Sequence, residues 1–204
     1  MKEYIDKAVI ETISRILLGR GFSKKGLIFE KQLAEECLGR CGLNITRQHL
    51  SGGIGINPVA GLIFSPIEDV IQRLLETKLR QSTLNSSLGY LMPEKRYLEW
   101  IFPLDESIDI KLEAEKLANA VLLYGEPFSR QHASLGVVIE SLENLRFIDR
   151  DSANYRLPIA YSLADEPERA REFMIRQLKE VEGRDDFAAQ QKRQLFNALL
   201  GGAL

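Results

Sequence analysis

The stretch that decides the fold is GFSKKGLIFEK, residues 21–31. Two glycines bracket Lys24 and Lys25, and apolar and charged residues alternate after them. A helical pattern precedes the stretch and a strand pattern follows it, so we expect a turn from helix to strand with its glycines at positive φ. In this turn Phe22 enters the core, and both lysines remain solvated.

Anion binding is the alternative for the same turn. A phosphate cradle needs several converging backbone N–H groups, usually at the N-terminus of a helix. Here the glycines follow a helix, so the helix dipole points the wrong way, and the P-loop pattern is absent. We therefore favour the turn and leave anion binding at Lys24 and Lys25 open.

Regular patterns flank the turn on both sides. Residues 3–19 predict an amphipathic helix that ends at Gly19 and Gly21. Residues 27–48 alternate as in a hairpin with one exposed face. Residues 51–64 follow as a third strand, in which glycines and Pro58 predict a bulge, a bend or an edge position. The inward positions of the helix are Ile5, Val9, Ile13, Ile16 and Leu17.

Residues 65–80 carry the strongest helical pattern. Ser65 is expected to cap this helix, and Pro66 suits its first turn. Glu68 and Asp69 lie where the helix dipole favours anions. The stripe expected to be buried consists of Ile67, Val70, Ile71, Leu74, Leu75 and Leu79.

The remaining patterns predict one more hairpin and then helices. The predicted elements are a hairpin over residues 86–102 turning at Pro93-Glu94-Lys95, a helix over 105–125 ending near Gly125, a helix over 132–145, a short and a longer helix after Asn154 separated by a break near Asp165-Glu166-Pro167, and a last helix after Asp185 that buries Phe187, Leu195, Phe196 and Leu199.

These elements define an α+β fold: a small antiparallel sheet, helices packed on one face, and a helical C-terminal third. The chain of 204 residues is long enough for one sizeable core. We therefore expect a single domain over residues 1–204, sheet-rich to about residue 102 and helical from about residue 103.

Composition excludes several classes of protein. The chain has 27 Lys and Arg against 29 Asp and Glu, a net charge of −2, whereas nucleic-acid binders are usually basic. No apolar run approaches the length of a membrane span, and Glu3, Asp6 and Glu11 interrupt the place of a signal-peptide core. We expect a cytoplasmic protein that binds neither nucleic acid nor a membrane.

Two cysteines, Cys37 and Cys41, are the candidates for metal binding. A zinc site would need two further ligands, and only His49 and His132 are available. Free thiols that are buried or half-buried on a strand are the commoner outcome, and a cytoplasm keeps such thiols reduced. We therefore expect no metal and no disulfide.

Nucleophilic catalysis needs a nucleophile with a base beside it. His132 has Ser129 and Ser134 close by in sequence, but no G-x-S-x-G elbow occurs. Carboxylate pairs at loops and helix starts are usually solvated or capping groups. We expect no catalytic residue and no cofactor. The carboxylate pairs of this kind are Glu35-Glu36, Asp105-Glu106 and Asp185-Asp186.

A basic patch would form if the two predicted hairpins were neighbours. It would combine Lys24 and Lys25 with Lys95 and Arg96. This is the main argument for nucleic acid, and the overall charge opposes it. Trp100 lies in an apolar strand and is expected in the core rather than as a stacking platform.

The N-terminal third resembles an uncharacterised bacterial domain family with a helix, then G-F-x-K-K-G-x-x-F, then antiparallel strands. The residues that match this motif are Gly21, Phe22, Lys24, Lys25, Gly26 and Phe29. Residues 157–178 also resemble a helical ending of related proteins. Members of such families are similar to immunity proteins that neutralise antibacterial toxins, including effectors of type VI secretion systems. The resemblance implies a binding protein rather than an enzyme, and it implies no catalytic residues.

Three functions follow as hypotheses. The first is a cytoplasmic immunity protein whose partner is a cognate toxin, held by covering the active site of the toxin or by blocking its assembly. The alternative is an enzyme acting on phosphate esters or nucleic acid through Lys24, Lys25 and either His49 or His132. The third is a scaffold or homodimer that pairs through a sheet edge.

Overall fold

The computed structural model describes residues 2–46, 53–78, 80–103 and 108–202. These residues form an α+β fold with an antiparallel sheet, as the sequence predicts. The strands within them are β1 (Ser23–Lys25), β2 (Ile28–Ala34), β3 (Cys37–Thr46), β4 (Ile54–Phe64), β5 (Leu84–Ser87) and β6 (Trp100–Phe102). The α-helices are α1 (Lys2–Leu18), α2 (Ser65–Leu75), α3 (Leu88–Leu91), α4 (Ile110–Ala120), α5 (Glu126–Gln131), α6 (Leu135–Glu143), α7 (Arg150–Leu163), α8 (Pro167–Glu180) and α9 (Phe187–Leu200).

The sheet follows the chain from one edge to the other. Its strand order is β1-β2-β3-β4-β5, and β6 pairs with the first three residues of β4. In the β2–β3 hairpin Phe29 lies opposite Cys41, with an irregularity between Gln32 and Ala34. The hairpin predicted between residues 27 and 48 is therefore confirmed over its described part.

Of the three alternatives predicted for β4, the edge position is wrong. Its glycines and Pro58 indicated a bulge, a bend or an edge strand, but β4 lies between β3 and β5. Two of these glycines admit close neighbours instead. A Cβ on Gly53 would collide with the Phe102 carbonyl oxygen, and a Cβ on Gly55 would collide with the Glu99 carboxylate. The glycines thus let the chain of β6 approach β4.

The hairpin predicted over residues 86–102 is wrong. Residues Leu88–Leu91 form the short helix α3, and β6 pairs antiparallel with β4 rather than returning along β5. The turn itself is present, because the Lys95 N–H donates to the Met92 carbonyl at 3.0 Å. A four-residue helix buries too little to impose a helical period on the sequence, so the apolar residues around it read as strand.

The helix predicted to end near Gly125 continues past it. After α4 the backbone forms a π-helical segment, Val121–Gly125, and then α5. A Cβ on Gly125 would lie 3.2 Å from the Ala60 Cβ, so this glycine serves a close approach of helix and strand rather than a helix end. At the start of α4, the Asp109 carboxylate accepts the N–H groups of Lys111 and Leu112.

The chain divides into two compact units. The first unit comprises residues 1–62 and 85–131, and the second comprises residues 63–84 and 132–204. Every strand of the described residues precedes Pro103, as predicted. The single domain over residues 1–204 stays a prediction.

The core of the first unit lies between one face of the sheet and the helices α1 and α4. The predicted inward face of α1 is confirmed, since Ile5, Val9, Ile13 and Leu17 are buried in this core while Ile16 packs at its margin. Helices α1 and α4 therefore cover one face of the sheet, as the sequence predicts. The sheet contributes Phe29, Cys41, Leu43, Ile54, Ile56 and Phe102.

The second unit is built from helices. Helix α7 packs against α2, α6 and α8, and α9 packs against α2 and α8. The predicted break between α7 and α8 is confirmed, but α7 begins at Arg150, where the Asp149 carboxylate accepts the Ser152 N–H. Leu195, Phe196 and Leu199 are buried as predicted. Phe187 is 73% exposed, so its predicted burial is wrong: it is the first residue of α9 and has no turn before it to pack on.

Helix α2 departs from its prediction at both ends. Ser65 is its first residue rather than its cap, and the chain leaves the helix at Glu76, which has φ of +52°. Ile67 is fully buried, and Leu79 lies outside the described residues. Glu68, predicted only as a charge favoured by the dipole, is 1% exposed.

Candidate functional site

The end of α1 forms a Schellman motif around Gly21. The Gly21 N–H donates to the Leu18 carbonyl at 3.0 Å, and the Phe22 N–H donates to the Leu17 carbonyl at 3.2 Å. Gly21 has φ of +85°, the left-handed conformation that this motif requires, and Gly26 has φ of +62°. The predicted turn is confirmed. Because helix carbonyls accept these two N–H groups, neither can contribute to an anion cradle.

The side chains of the G-F-x-K-K-G-x-x-F motif also have structural roles. Phe22 and Phe29 are buried, at 6% and 0% exposure. The Lys24 ammonium lies 5.8 Å from the centre of the Phe29 ring, and the Lys31 ammonium lies 5.4 Å from that of Phe22. Lys24 and Lys25 are exposed on the edge strand β1, where lysine discourages pairing with another chain. The motif residues therefore form the turn, contribute two aromatic rings to the core and discourage pairing at the sheet edge.

Two of the predicted nucleophile and base candidates, Ser129 and His132, have other partners. The Ser129 hydroxyl is 1% exposed and lies 2.9 Å from the Gly61 carbonyl oxygen and 3.1 Å from that of Gly125. Its proton is thus held by the main chain. His132 packs edge-on against Phe147, with ring centres 5.1 Å apart. His49 and the Asp105-Glu106 pair lie outside the described residues.

Both cysteines are free and buried on β3, as predicted. Burial raises the pKa of the Cys41 thiol to about 12. Burial and then the charge of Glu36 raise the pKa of Cys37 above its ordinary value. These thiols are therefore poor nucleophiles, because the thiolate is the reactive form.

The condition for the predicted basic patch is not met. Strands β2, β3 and β4 lie between β1, which carries Lys24 and Lys25, and β5. Lys95 and Arg96 belong to the segment that follows α3, and the second hairpin that was to bring them beside β1 does not form.

A different segment stands out, residues 87–98, which we call the clamped loop. It joins β5 to β6 and contains α3. The amide nitrogen of Asn57, in β4, donates to the Ser87 hydroxyl and to the Leu98 carbonyl, both at 2.8 Å. The Ser87 hydroxyl lies 3.1 Å from the Asn57 side-chain oxygen. One side chain that is 8% exposed thus fixes both ends of the loop.

Gly89 closes the clamped loop from inside. The Arg96 N–H donates to the Gly89 carbonyl at 3.3 Å. A Cβ on Gly89 would lie 2.7 Å from the Leu98 Cβ and would collide with the Arg96 carbonyl oxygen. Only glycine permits this approach of the two sides of the loop.

The clamped loop presents aromatic side chains to solvent. Tyr90 is 52% exposed and Tyr97 is 58% exposed, and Ile101, just beyond the loop, is 43% exposed. Lys95, at the turn, has φ of +46°, a conformation rare for a residue with a side chain. Trp100 is half-buried and packs against the core of the first unit.

The clamped loop was not predictable from local sequence patterns, because its decisive contact joins residues 41 positions apart. An asparagine between Ile56 and Pro58 reads as a turn signal, and the tyrosines read as strand residues. The available signal was Asn57, a polar residue in an otherwise apolar strand. A buried amide group needs hydrogen-bond partners.

Two general features of the described residues bear on function. No helix among them combines the length and apolar character needed to cross a membrane. Within the same ranges, no group of three or more His, Cys, Asp or Glu residues is placed to hold a metal ion.

Comparison with protein-family models, with curated proteins and with solved structures found no match to this chain.

Proposed function

We propose that this protein binds a cognate antibacterial toxin and neutralises it, by covering the active site of the toxin or by blocking its assembly. The clamped loop supplies the central contacts of that interface. The observation that carries the proposal is the pair of exposed tyrosines, Tyr90 and Tyr97, on a loop whose ends are fixed by Asn57.

Tyrosine is among the residues that most often dominate the energy of protein interfaces. It offers a large, amphipathic contact area with few rotatable bonds. A loop held in its binding conformation loses little further entropy when the partner binds, so more of the contact energy remains as affinity. That the partner is a toxin rests on a resemblance: the motif at residues 21–29 resembles a domain family whose members are similar to immunity proteins.

The test is binding to the toxin encoded by the adjacent gene. The two proteins are expressed together, purified through a tag on one of them, and their affinity is measured by calorimetry. Tyr90→Ala and Tyr97→Ala are each expected to weaken Kd by about 30-fold, the effect of losing an interface hot spot of about 2 kcal/mol. Phe187→Ala is the matched control, since Phe187 is an exposed aromatic residue of the second unit.

The outcomes test the proposed toxin binding and the proposed binding surface separately. If no toxin-like protein encoded beside this gene is retained, the proposed function is wrong. If the toxin is retained and both tyrosine variants bind like the parent protein, the clamped loop is not the interface. If Phe187→Ala weakens binding as much as the tyrosine variants, the contact is placed on the wrong surface.

A further inference from the structure

The second unit contains an open cavity of about 230 Å³ between α2, α7 and α9, which the proposed function does not use. A water molecule occupies about 30 Å³ in the liquid, so the cavity has room for one small organic molecule. The polar and aromatic residues of its lining include Glu68, Gln72, Gln81, Tyr155, Arg156 and Gln191.

A buried ion pair forms part of the lining. The Arg156 Nε donates to one Glu68 oxygen at 2.7 Å, and the Arg156 Nη2 donates to the other at 3.1 Å. The two side chains are 4% and 2% exposed. Because their charges compensate each other, the cavity has no uncompensated charge here. A charged ligand would lose its hydration without gaining a free counter-charge.

Arg156 retains one unused donor. A guanidinium group carries five N–H bonds. Besides the two contacts with Glu68, Nη1 donates to the Ser152 carbonyl at 2.9 Å and Nη2 to the Ser82 carbonyl at 3.4 Å. One N–H of Nη1 therefore has no acceptor among the described residues. Since Arg156 is 3% exposed and lines the cavity, a molecule inside is the acceptor available to it.

Carboxamides add further unused groups. Gln81 and Gln191 line the cavity, and their side chains make no hydrogen bond within the described part of the chain. Gln72 reaches only the Thr77 carbonyl, at 3.4 Å. Each carboxamide offers both donors and an acceptor, and a hydroxyl group can satisfy either because it also donates and accepts. The Tyr155 ring and two aliphatic side chains, Ile71 and Leu75, provide apolar contact.

We infer that this cavity binds a neutral polyhydroxylated molecule of monosaccharide size. The compensated ion pair disfavours ions, the carboxamides disfavour a purely apolar ligand, and the volume of about 230 Å³ suits a molecule of this size. The inference does not depend on the proposed toxin-binding function, since it concerns residues of the second unit alone.

The test titrates the full-length protein with glucose and with N-acetylglucosamine, followed by amide chemical shifts in NMR spectra. Saturable shifts at the cavity residues are expected. Gln191→Leu and Gln81→Leu should each weaken the binding at least tenfold. Gln131→Leu is the matched control, because Gln131 is an exposed glutamine of the first unit, and it should bind as the parent does.

Inorganic phosphate and adenine are titrated in parallel under the same conditions. The inference is overturned if neither sugar shifts the cavity residues, or if phosphate or adenine occupies the cavity and the sugars do not. It is also overturned if sugar binding is unchanged in both glutamine variants. Gln81 is exposed, so its variant keeps the test valid if Gln191→Leu impairs folding, which a thermal melt of each variant reveals.

Discussion

At the residue scale, buried polar side chains join segments of the chain through hydrogen bonds and an ion pair. Asn57 fixes the clamped loop, and Glu68 joins α2 to α7 by pairing with Arg156. Thr83 also binds to Glu68: the Thr83 hydroxyl accepts the Phe64 N–H and donates to the Glu68 carboxylate at 2.9 Å. Such groups contribute little net energy when paired but cost much when one partner is removed. Each therefore gives a sharp test by substitution.

Asn57→Ala removes the clamp of the loop. The Leu98 carbonyl loses its partner, and the free energy of unfolding is expected to fall by about 1–3 kcal/mol. Amide hydrogen exchange within residues 88–97 should accelerate, while exchange in α1 stays slow. Asn119→Ala is the control, because Asn119 is exposed on α4. Unchanged exchange in the loop of the Asn57 variant would contradict the role given to this residue.

Glu68→Leu leaves the Arg156 guanidinium buried without its counter-charge. The expected loss is about 3–5 kcal/mol in the free energy of unfolding, measured by urea denaturation. The double variant Glu68→Leu/Arg156→Leu should be less destabilised than Glu68→Leu alone, because no unpaired charge remains. Glu172→Leu, at an exposed site on α8, should change stability by less than about 0.5 kcal/mol. Additive losses in the double variant would contradict this account of the pair.

At the scale of elements, long periodic segments were predictable and short or irregular ones were not. The patterns of α1, of the β2–β3 hairpin and of α8 repeat over several turns or residue pairs, so each indicates its element without further context. The four residues of α3 and the π-helical segment Val121–Gly125 have no such repeat. Their conformation is imposed by packing, as the contact of Gly125 with Ala60 illustrates.

Gly89→Ala tests whether the clamped loop is closed by a glycine contact. The added Cβ would collide with the Arg96 carbonyl oxygen, so the loop must open and partner binding should weaken at least tenfold. The far-ultraviolet circular dichroism should remain that of the parent. Gly136→Ala is the control: its Cβ would meet no atom within 4 Å, and alanine favours the helix α6. Parent-like binding by Gly89→Ala would show that the loop tolerates opening.

At the scale of the whole molecule, both compact units bury apolar side chains. The core of the first unit is formed by the sheet with α1 and α4, and the second unit buries Phe196, Leu195 and Ala153 among its helices. Cys41 belongs to the first core, at 2% exposure, and Cys37 is buried to the same extent. The reactivity of the two thiols therefore shows whether strand β3 stays buried in the folded protein.

Alkylation of the thiols measures this directly. Near pH 8 an ordinary cysteine is partly thiolate, whereas burial raises the pKa of Cys41 to about 12 and also raises that of Cys37. Iodoacetamide should therefore modify neither residue in the folded protein, and it should modify both in concentrated guanidinium chloride, as followed by intact mass. Rapid modification of Cys41 in the native protein would contradict its placement in the core.

The sequence by itself determined the α+β class, the inward face of α1, the turn at Gly21 and Gly26, and the free thiols on a strand. These depend on periodicity and on backbone conformations that only nearby residues influence. Only the tertiary structure decided that β4 lies inside the sheet, that β6 pairs with it, and that Asn57 meets Leu98. The same holds for the pairing of Glu68 with Arg156, 88 residues away. A local pattern records that a residue is polar or small, but the partner that makes this necessary is chosen by the fold.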